Sequence, residues 1–134
     1  MRIGAMMTQK ISRHQDRIKA MSFIYENLLK STIDQDFTFN YEDLKESNFL
    51  NSSRYALENL EDLSALIQES LYDWKFERLG FVEQAILLLA CGEAVIEASP
   101  KQVIIDEAIE LAKEYCDEDS FKLINATLDK VLDI

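Results

Sequence analysis

Residues 80–98 read GFVEQAILLLACGEAVIEA, and this stretch decides the fold class. It is apolar nearly all round at helical spacing, so it predicts a helix that is buried on every face. Gly80, with Glu83 three residues later, has the pattern of a helix N-terminus. The charge-free run from Gln84 to Gly92 is far shorter than the roughly 20 apolar residues that a membrane span needs. We therefore expect the central helix of a helical domain and no membrane partner.

Helical patterns flank this stretch on both sides. Before it, apolar residues at three- and four-residue steps predict a first helix over 10–30 and two further helices over 41–49 and 52–72. After it, SPKQ at 99–102 reads as a capping box with proline at the first helical position. The acidic run at 117–119 then favours the N-terminus of a last helix. The sequence predicts an all-α fold of six or seven helices.

Length and composition limit the alternatives. The chain has 134 residues, the size of one domain. Three glycines and one proline are too few for the turns of a β-sandwich or barrel. Two cysteines without a CxxC motif suggest neither a disulfide framework nor a zinc knuckle, which fits a reducing cytoplasm. We expect residues 1–9 to be a disordered N-terminus and residues 10–134 to form a single domain.

The sequence has few of the residues and motifs on which catalysis or cofactor binding depends. One histidine cannot supply a histidine cluster or an HExxH motif, and no glycine-rich loop is present to hold nucleotide phosphates. We therefore expect no enzyme activity, no metal and no cofactor. Glu107, Glu110 and Glu114 share one helix face, but a ferritin-like site would also need Glu-x-x-His pairs. Their simplest interpretation is a solvated acidic face.

A basic stripe is the most informative local feature. Lys10, Arg13, His14 and Arg17 recur at steps of three and four, which places them on one face of the first helix. The net charge of −11 repels nucleic acid, so any RNA contact must come from such a local patch. Tyr25 offers a ring on which an unpaired base could stack. The stripe predicts an RNA-binding surface, and the alternative is that it only balances the acidic surface.

Two long segments and the first helix match a known family pattern. WKFERLGFVEQAILLLACGE at 74–93 has its Trp, Arg-Leu, Val-Glu and Ala-Ile-Leu order. SPKQVIIDEAIELAKEYCDEDSFKLINATLD at 99–129 is similar to its most distinctive stretch, in which Pro-x-x-Val opens a helix. Arg13 and Arg17, followed by apolar residues up to Tyr25, look like its arginine-rich N-terminal motif. On these residues the chain resembles the NusB family of bacterial transcription antitermination factors.

The resemblance implies two packed helical subdomains that bind the boxA RNA element of ribosomal operon leaders. It also implies a small-subunit ribosomal protein, Nus factor E, as partner, and support of read-through by the RNA polymerase complex. RNA contacts are then expected from the basic helix and from the start of the last helix, that is, from Lys10, Arg13, His14, Arg17, Tyr25, Ser120 and Lys122. For the protein partner we expect apolar anchors and carboxylates near the buried helix, at Trp74, Phe76, Glu77 and Glu83.

Departures from the family pattern leave other interpretations open. Asp16 lies within the basic stripe, and Gln84 and Leu88 stand where many relatives have arginine. The chain could therefore be a protein-interaction module of the same fold with weakened or lost RNA binding. A third interpretation, the RNA-binding domain of a larger methyltransferase, would need a catalytic domain after residue 134. The oligomeric state is also open, because relatives can form a homodimer through the face that binds RNA.

Overall fold

The computed structural model describes the backbone of residues 2–39 and 49–133, and the side chains from Arg13 onward within those ranges. In these ranges the chain forms six α-helices and one short 3-10 turn, without strands, which confirms the all-α class. The helices are α1 (Arg2–Ile33), α2 (Leu50–Glu58), α3 (Leu60–Glu69), α4 (Phe81–Ile96), α5 (Lys101–Tyr115) and α6 (Ser120–Val131), and the 3-10 turn is Phe76–Arg78. None of these helices is long and apolar enough to cross a bilayer.

Helix α4 is the centre of the fold. Every residue from Gln84 to Glu93 is buried, and α4 contacts each of the other five helices. α1, α2 and α3 come from the first half of the chain, and α5 and α6 come from the second half. The two groups of helices meet on α4, as expected for a helix that is apolar nearly all round. The prediction that this stretch is the most buried helix is confirmed.

Some helix boundaries differ from the predicted ones. α1 begins at Arg2, before the predicted start at Lys10. The single helix predicted over 52–72 is divided at Asn59, whose side-chain amide donates to the carbonyl of Tyr55 at 2.9 Å. Asparagine competes in this way with the backbone hydrogen bonds of a helix. The helix predicted over 41–49 lies outside the described residues except for Phe49, which directly precedes α2.

The predicted starts of the last two helices are confirmed to within a residue or two. α5 begins at Lys101 and α6 at Ser120, immediately after the acidic run. The capping box predicted for α5 is wrong, because Pro100 occupies the N-cap position without a side-chain hydrogen bond. The amide of Gln102 donates instead to Asp106 at 2.7 Å, one turn further along the helix.

Small residues set the distance between the N-terminal helices and α4. A Cβ atom placed on Gly92 would overlap the backbone oxygen of Ser52, so α2 and α4 touch backbone to backbone. The hydroxyl of Ser53, which is fully buried, donates to the carbonyl of Ala20 at 3.3 Å and links α2 to α1. The packing of α1, α2 and α4 therefore depends on side chains no larger than these.

We predict that Gly92→Ala destabilises the protein by about 1–3 kcal/mol, since the added methyl group has no space beside the backbone of Ser52. Helix propensity alone would give the opposite sign, because alanine is favoured over glycine within a helix. Gly80→Ala is the comparison variant, because a Cβ there meets only the movable side chain of Glu83 at 3.2 Å and the change costs mainly the loss of a favoured N-cap residue. Urea unfolding of both variants checks this, and equal midpoints would contradict it.

Candidate nucleic-acid interface

Arg17 lies in the core, not on an exposed stripe. Its side chain is 3% exposed, and its Nε and one terminal nitrogen donate to the two carboxylate oxygens of Glu93 at 3.1 and 2.5 Å. Glu93 is 2% exposed, and the other terminal nitrogen of Arg17 is 3.6 Å from Glu107. This two-point geometry is the strongest form of arginine–carboxylate pairing. The exposed position predicted for Arg17 is therefore wrong, because its charge is matched inside the protein.

Phe49 completes the surroundings of Arg17. The guanidinium carbon of Arg17 lies 4.4 Å from the centre of the Phe49 ring, and that of Arg13 lies 5.2 Å from it. Such contacts contribute about 0.5–1 kcal/mol at exposed sites and more where water is excluded. Phe49 is itself buried and has a φ of 70°, a left-handed conformation that is unfavourable for a bulky residue. Arg13 is half-buried, and its guanidinium also faces this ring.

His14 is surrounded by carboxylates from α5. Its Nε2 is 2.8 Å from Glu114 Oε1, and its Nδ1 is 3.3 Å from Glu107 Oε2 and 3.7 Å from Glu110 Oε2. Burial lowers the pKa of His14, but the hydrogen bonds and charges of Glu114 and Glu107 outweigh it and raise the pKa above the ordinary 6.5. The solvated acidic face predicted for the three glutamates is wrong for Glu107, whose side chain is only 13% exposed.

The other predicted RNA-binding residues have varied environments. Lys10 is part of α1, but its side chain lies outside the described residues. Tyr25 is half-buried and packs against the core. Ser120 is the first residue of α6, and Lys122 is exposed, with its ammonium 3.6 Å from Asp119. The RNA-binding roles of these residues remain predictions.

A groove runs along the turn between α5 and α6. It is lined by Lys113, Cys116, Glu118, Asp119, Phe121 and Lys122. The ammonium of Lys113 lies 4.9 Å from the centre of the Phe121 ring. Lys113 and Phe121 were not predicted as site residues, although their positions on either side of the acidic turn, close to Ser120 and Lys122, were a usable signal. We call this surface the α5–α6 groove.

A second groove adjoins the first and contains part of the predicted partner surface. It is lined by Trp74, Arg78, Leu79, Gly80, Glu83, Asp117, Asp119, Ser120, Lys122 and Leu123, and it shares Asp119 and Lys122 with the α5–α6 groove. Trp74 is 57% exposed, and Glu77 is exposed. The accessible position predicted for Phe76 is wrong, because its ring is buried in the core. We call this surface the Trp74 groove.

His14 and Arg17 link α1 to α5. The guanidinium of Arg17 is 3.6 Å from Glu107, whereas His14, one turn earlier in α1, contacts Glu107, Glu110 and Glu114. This part of α1 therefore lies beside the second half of α5.

Both cysteines are free thiols. Burial raises the pKa of Cys91 to about 12. The pKa of Cys116 rises to about 11, first through burial and then through the charges of Glu83 and Asp117. A thiol with so high a pKa is a poor nucleophile at neutral pH.

Comparison with known proteins agrees with this arrangement of helices. The model of the NusB family matches residues 7–133. The chain belongs to the NusB family. It is 34% identical over 125 residues to the transcription antitermination protein NusB of Exiguobacterium sp., with 91% of this chain and 98% of the relative aligned. The corresponding protein of Sulfurovum sp. is 35% identical over 134 residues, with 90% and 97% aligned.

A solved structure of T. maritima NusB superimposes on this NusB-family chain with a TM-score of 0.71, 27% identity and 90% of each chain covered. These matches confirm the family resemblance inferred from the two long segments and the first helix. They also span nearly the whole of both curated relatives, which are transcription antitermination proteins.

We predict that Arg17→Met destabilises the protein by about 3–5 kcal/mol, because it leaves the carboxylate of Glu93 buried without a counter-charge. The double variant Arg17→Met, Glu93→Leu should recover part of this loss, since the carboxylate of Glu93 is then removed together with its counter-charge. Arg54→Met is the control, because the exposed pair of Arg54 with Glu58 is worth at most about 1 kcal/mol. Denaturant unfolding of the four proteins, wild type included, tests this; a double variant no more stable than Arg17→Met would contradict it.

His14 should make stability depend on pH in a defined direction. A raised pKa in the folded state adds stability that is fully present below 6.5 and is lost as the pH rises through the raised value. The unfolding free energy of the wild type relative to His14→Gln should therefore fall as the pH is raised from below 6.5. His14 is the only histidine of the chain, so this difference isolates its contribution. A difference that grows with pH would refute the assignment.

Proposed function

We propose that this chain is a transcription antitermination factor that binds boxA-type single-stranded RNA of ribosomal operon leaders together with a small-subunit ribosomal protein, Nus factor E. It then supports read-through by the RNA polymerase complex in the cytoplasm, as a non-enzymatic adaptor. The observation that carries this proposal is the near full-length match to NusB antitermination proteins. The two grooves described above support a binding surface for each of the two ligands.

The α5–α6 groove is the proposed RNA surface. Lys113 and Lys122 provide cations for phosphates, and Phe121 provides a ring on which an unpaired base can stack. Ser120 lies at the edge that this groove shares with the Trp74 groove. The contact of His14 with Glu114, near the end of α5, supports a contribution from Arg13, its neighbour in α1. Lys10 is included on its position in the basic stripe of the sequence. Tyr25 lies further along α1, where its half-buried ring packs against the core, and its contact with RNA is proposed from the sequence alone.

The Trp74 groove is the proposed surface for the ribosomal protein. Trp74 is an exposed aromatic side chain of the kind that anchors interfaces. Glu77 is exposed nearby in sequence, and Glu83 lines the groove, so both can attract a basic partner. Because the two grooves share Asp119 and Lys122, a ligand in one lies next to a ligand in the other. The basic partner can then supply positive charge that the acidic chain lacks.

The structure also favours a second candidate function, a protein-interaction module with weakened RNA binding. Two of the four predicted basic residues have their charge matched within the chain, Arg17 by Glu93 and His14 by the glutamates of α5. Each such pairing removes a cation from the RNA surface. The ribosomal partner would still bind in the Trp74 groove in this case.

The prediction that tests these functions is that Lys113→Glu with Lys122→Glu weakens binding of a boxA-type single strand by about ten- to a hundred-fold and lowers its salt dependence. The salt slope should fall by about one unit for each phosphate that the variant no longer binds. Lys30→Glu is the control, because Lys30 is an exposed lysine at the opposite end of α1. Fluorescence anisotropy at several salt concentrations, with and without the ribosomal protein, provides the measurement.

The ribosomal protein should tighten RNA binding, and RNA should tighten binding of the ribosomal protein by the same factor, as thermodynamic linkage requires. Equal RNA affinity of the double variant and the Lys30→Glu control would exclude the α5–α6 groove. Binding of the ribosomal protein without measurable RNA binding would establish the interaction module. Failure to bind either ligand would refute both functions.

A further inference from the structure

α1 and α5 bring together a set of metal-ligating side chains that the proposed function does not use. His14 comes from the first helix, and Glu107 and Glu110 come from a helix more than half the chain away. One ligand atom from each of the three residues lies within 4.8 Å of the other two. An imidazole nitrogen and carboxylate oxygens are ligands that divalent transition-metal ions accept.

The spacing of these atoms suits a small ion. His14 Nδ1 is 3.3 Å from Glu107 Oε2 and 3.7 Å from Glu110 Oε2. Two ligands on a tetrahedral ion with bonds of about 2.0–2.1 Å lie about 3.3–3.4 Å apart. The two distances from Nδ1 are close to this value, and the two carboxylate oxygens, which lie within 4.8 Å of each other, can move together around one ion because Glu110 is half exposed. A solvent molecule could take the fourth position.

Glu114 sets the direction in which the imidazole ring faces. Its Oε1 is 2.8 Å from His14 Nε2 and accepts the proton of that nitrogen. Metal-ligating histidines usually donate their second ring nitrogen to a carboxylate or carbonyl in this way. The lone pair of Nδ1 then points at two carboxylate oxygens, and three electron-rich atoms cannot converge stably unless a cation lies between them. A proton on Nδ1 is one such cation, and a metal ion is the other.

The charges around the cluster favour a cation of more than unit charge. Four carboxylates face His14 or its neighbour Arg17, from Glu93 of α4 and from Glu107, Glu110 and Glu114 of α5. Arg17 matches one of these charges through Glu93, and its second nitrogen, 3.6 Å from Glu107, partly offsets another. Even a protonated His14 leaves the group with net negative charge. The arginine lowers the attraction for a metal ion without cancelling it.

We propose that His14, Glu107 and Glu110 bind a divalent transition-metal ion of the zinc class across the α1–α5 contact, with Glu114 as the residue that positions His14. The ion displaces the proton from Nδ1, so binding strengthens as the pH rises. Imidazole with carboxylate favours zinc, cobalt or nickel over magnesium and calcium, which prefer oxygen ligands alone. The bound ion would fasten the N-terminal helix to α5 and take His14 out of any RNA contact.

The test uses the untagged full chain and zinc chloride. Calorimetry should give one zinc per chain, with no comparable binding of magnesium. The single histidine gives one set of imidazole resonances, so long-range proton–nitrogen spectra report the ligating atom directly. Zinc should shift the Nδ1 resonance of His14 and suppress its titration with pH. Zinc should also raise the unfolding temperature, because it binds only the folded site.

His14→Gln and Glu110→Gln should each weaken zinc binding at least about ten-fold, since each removes a ligand. Glu118→Gln, an exposed carboxylate on the α5–α6 turn, and Cys116→Ser are the controls and should leave the affinity unchanged. Glu110 is half exposed, so its variant keeps the fold. The proposal is overturned by a lack of saturable binding up to about 1 mM zinc, by magnesium binding as tightly, by an Nε2 shift in place of Nδ1, or by loss of binding only in Cys116→Ser. None of these outcomes bears on RNA or the ribosomal protein, so this site and the proposed function stand or fall separately.

Discussion

The buried ion pair between Arg17 and Glu93 is the constraint on which the rest of the structure depends. Removing two charges from water costs several kcal/mol for each ion, and only good geometry with further contacts offsets that cost. Here the guanidinium donates to both oxygens of Glu93, stacks on Phe49 and approaches Glu107. The pair therefore requires α1, α4, α5 and the start of α2 to be in place together. Partial assembly would leave a charge buried without its partner.

This use of Arg17 changes where a cationic ligand surface can be built. An arginine that neutralises Glu93 in the core cannot also neutralise a phosphate, and His14 is similarly surrounded by carboxylates of α5. The exposed cations of the α5–α6 groove then become the main candidates for contact with RNA. The acidic net charge of the chain makes such a local surface weak on its own. A basic protein bound next to this groove would supply positive charge and so offset the repulsion between the acidic chain and RNA.

Local signals predicted much of the fold. The buried α4, the starts of α5 and α6 and the all-α class follow from periodicity and from residues within one or two turns of each boundary. The break at Asn59, where the side-chain amide and the backbone N–H both donate to the carbonyl of Tyr55, was not predicted. The burial of Arg17 depends on Glu93, which is distant in sequence, yet a signal was present: Arg17 is one helical turn before Met21 on the apolar face of α1. If Arg17 is assigned to that apolar face, its charge is expected to be buried and to need a buried acidic partner.

The candidate site was less predictable than the fold, because it depends on contacts between residues that are distant in sequence. The spacing of Glu107, Glu110 and Glu114 showed that they share a helix face, but not that His14 of α1 packs onto it. α1 and α5 are far apart in sequence, and their contact results from the packing of each helix on α4. No short sequence pattern predicts such a contact. The position of Phe76 was not predictable from its local sequence either. It lies in a short segment between helices, where an exposed side chain is expected, but its ring is buried in the core.

The close approach of Gly92 to Ser52 limits how this protein can change over generations. Most side-chain clashes can be relieved by a second substitution that makes the opposing side chain smaller. Here the opposing atom is a backbone oxygen, which every amino acid at position 52 carries. No substitution at position 52 can make room for a larger residue at position 92. A substitution of Gly92 therefore cannot be compensated by a second substitution at this contact. Only a displacement of one whole helix would provide one, and the buried ion pair next to Gly92 opposes such a displacement.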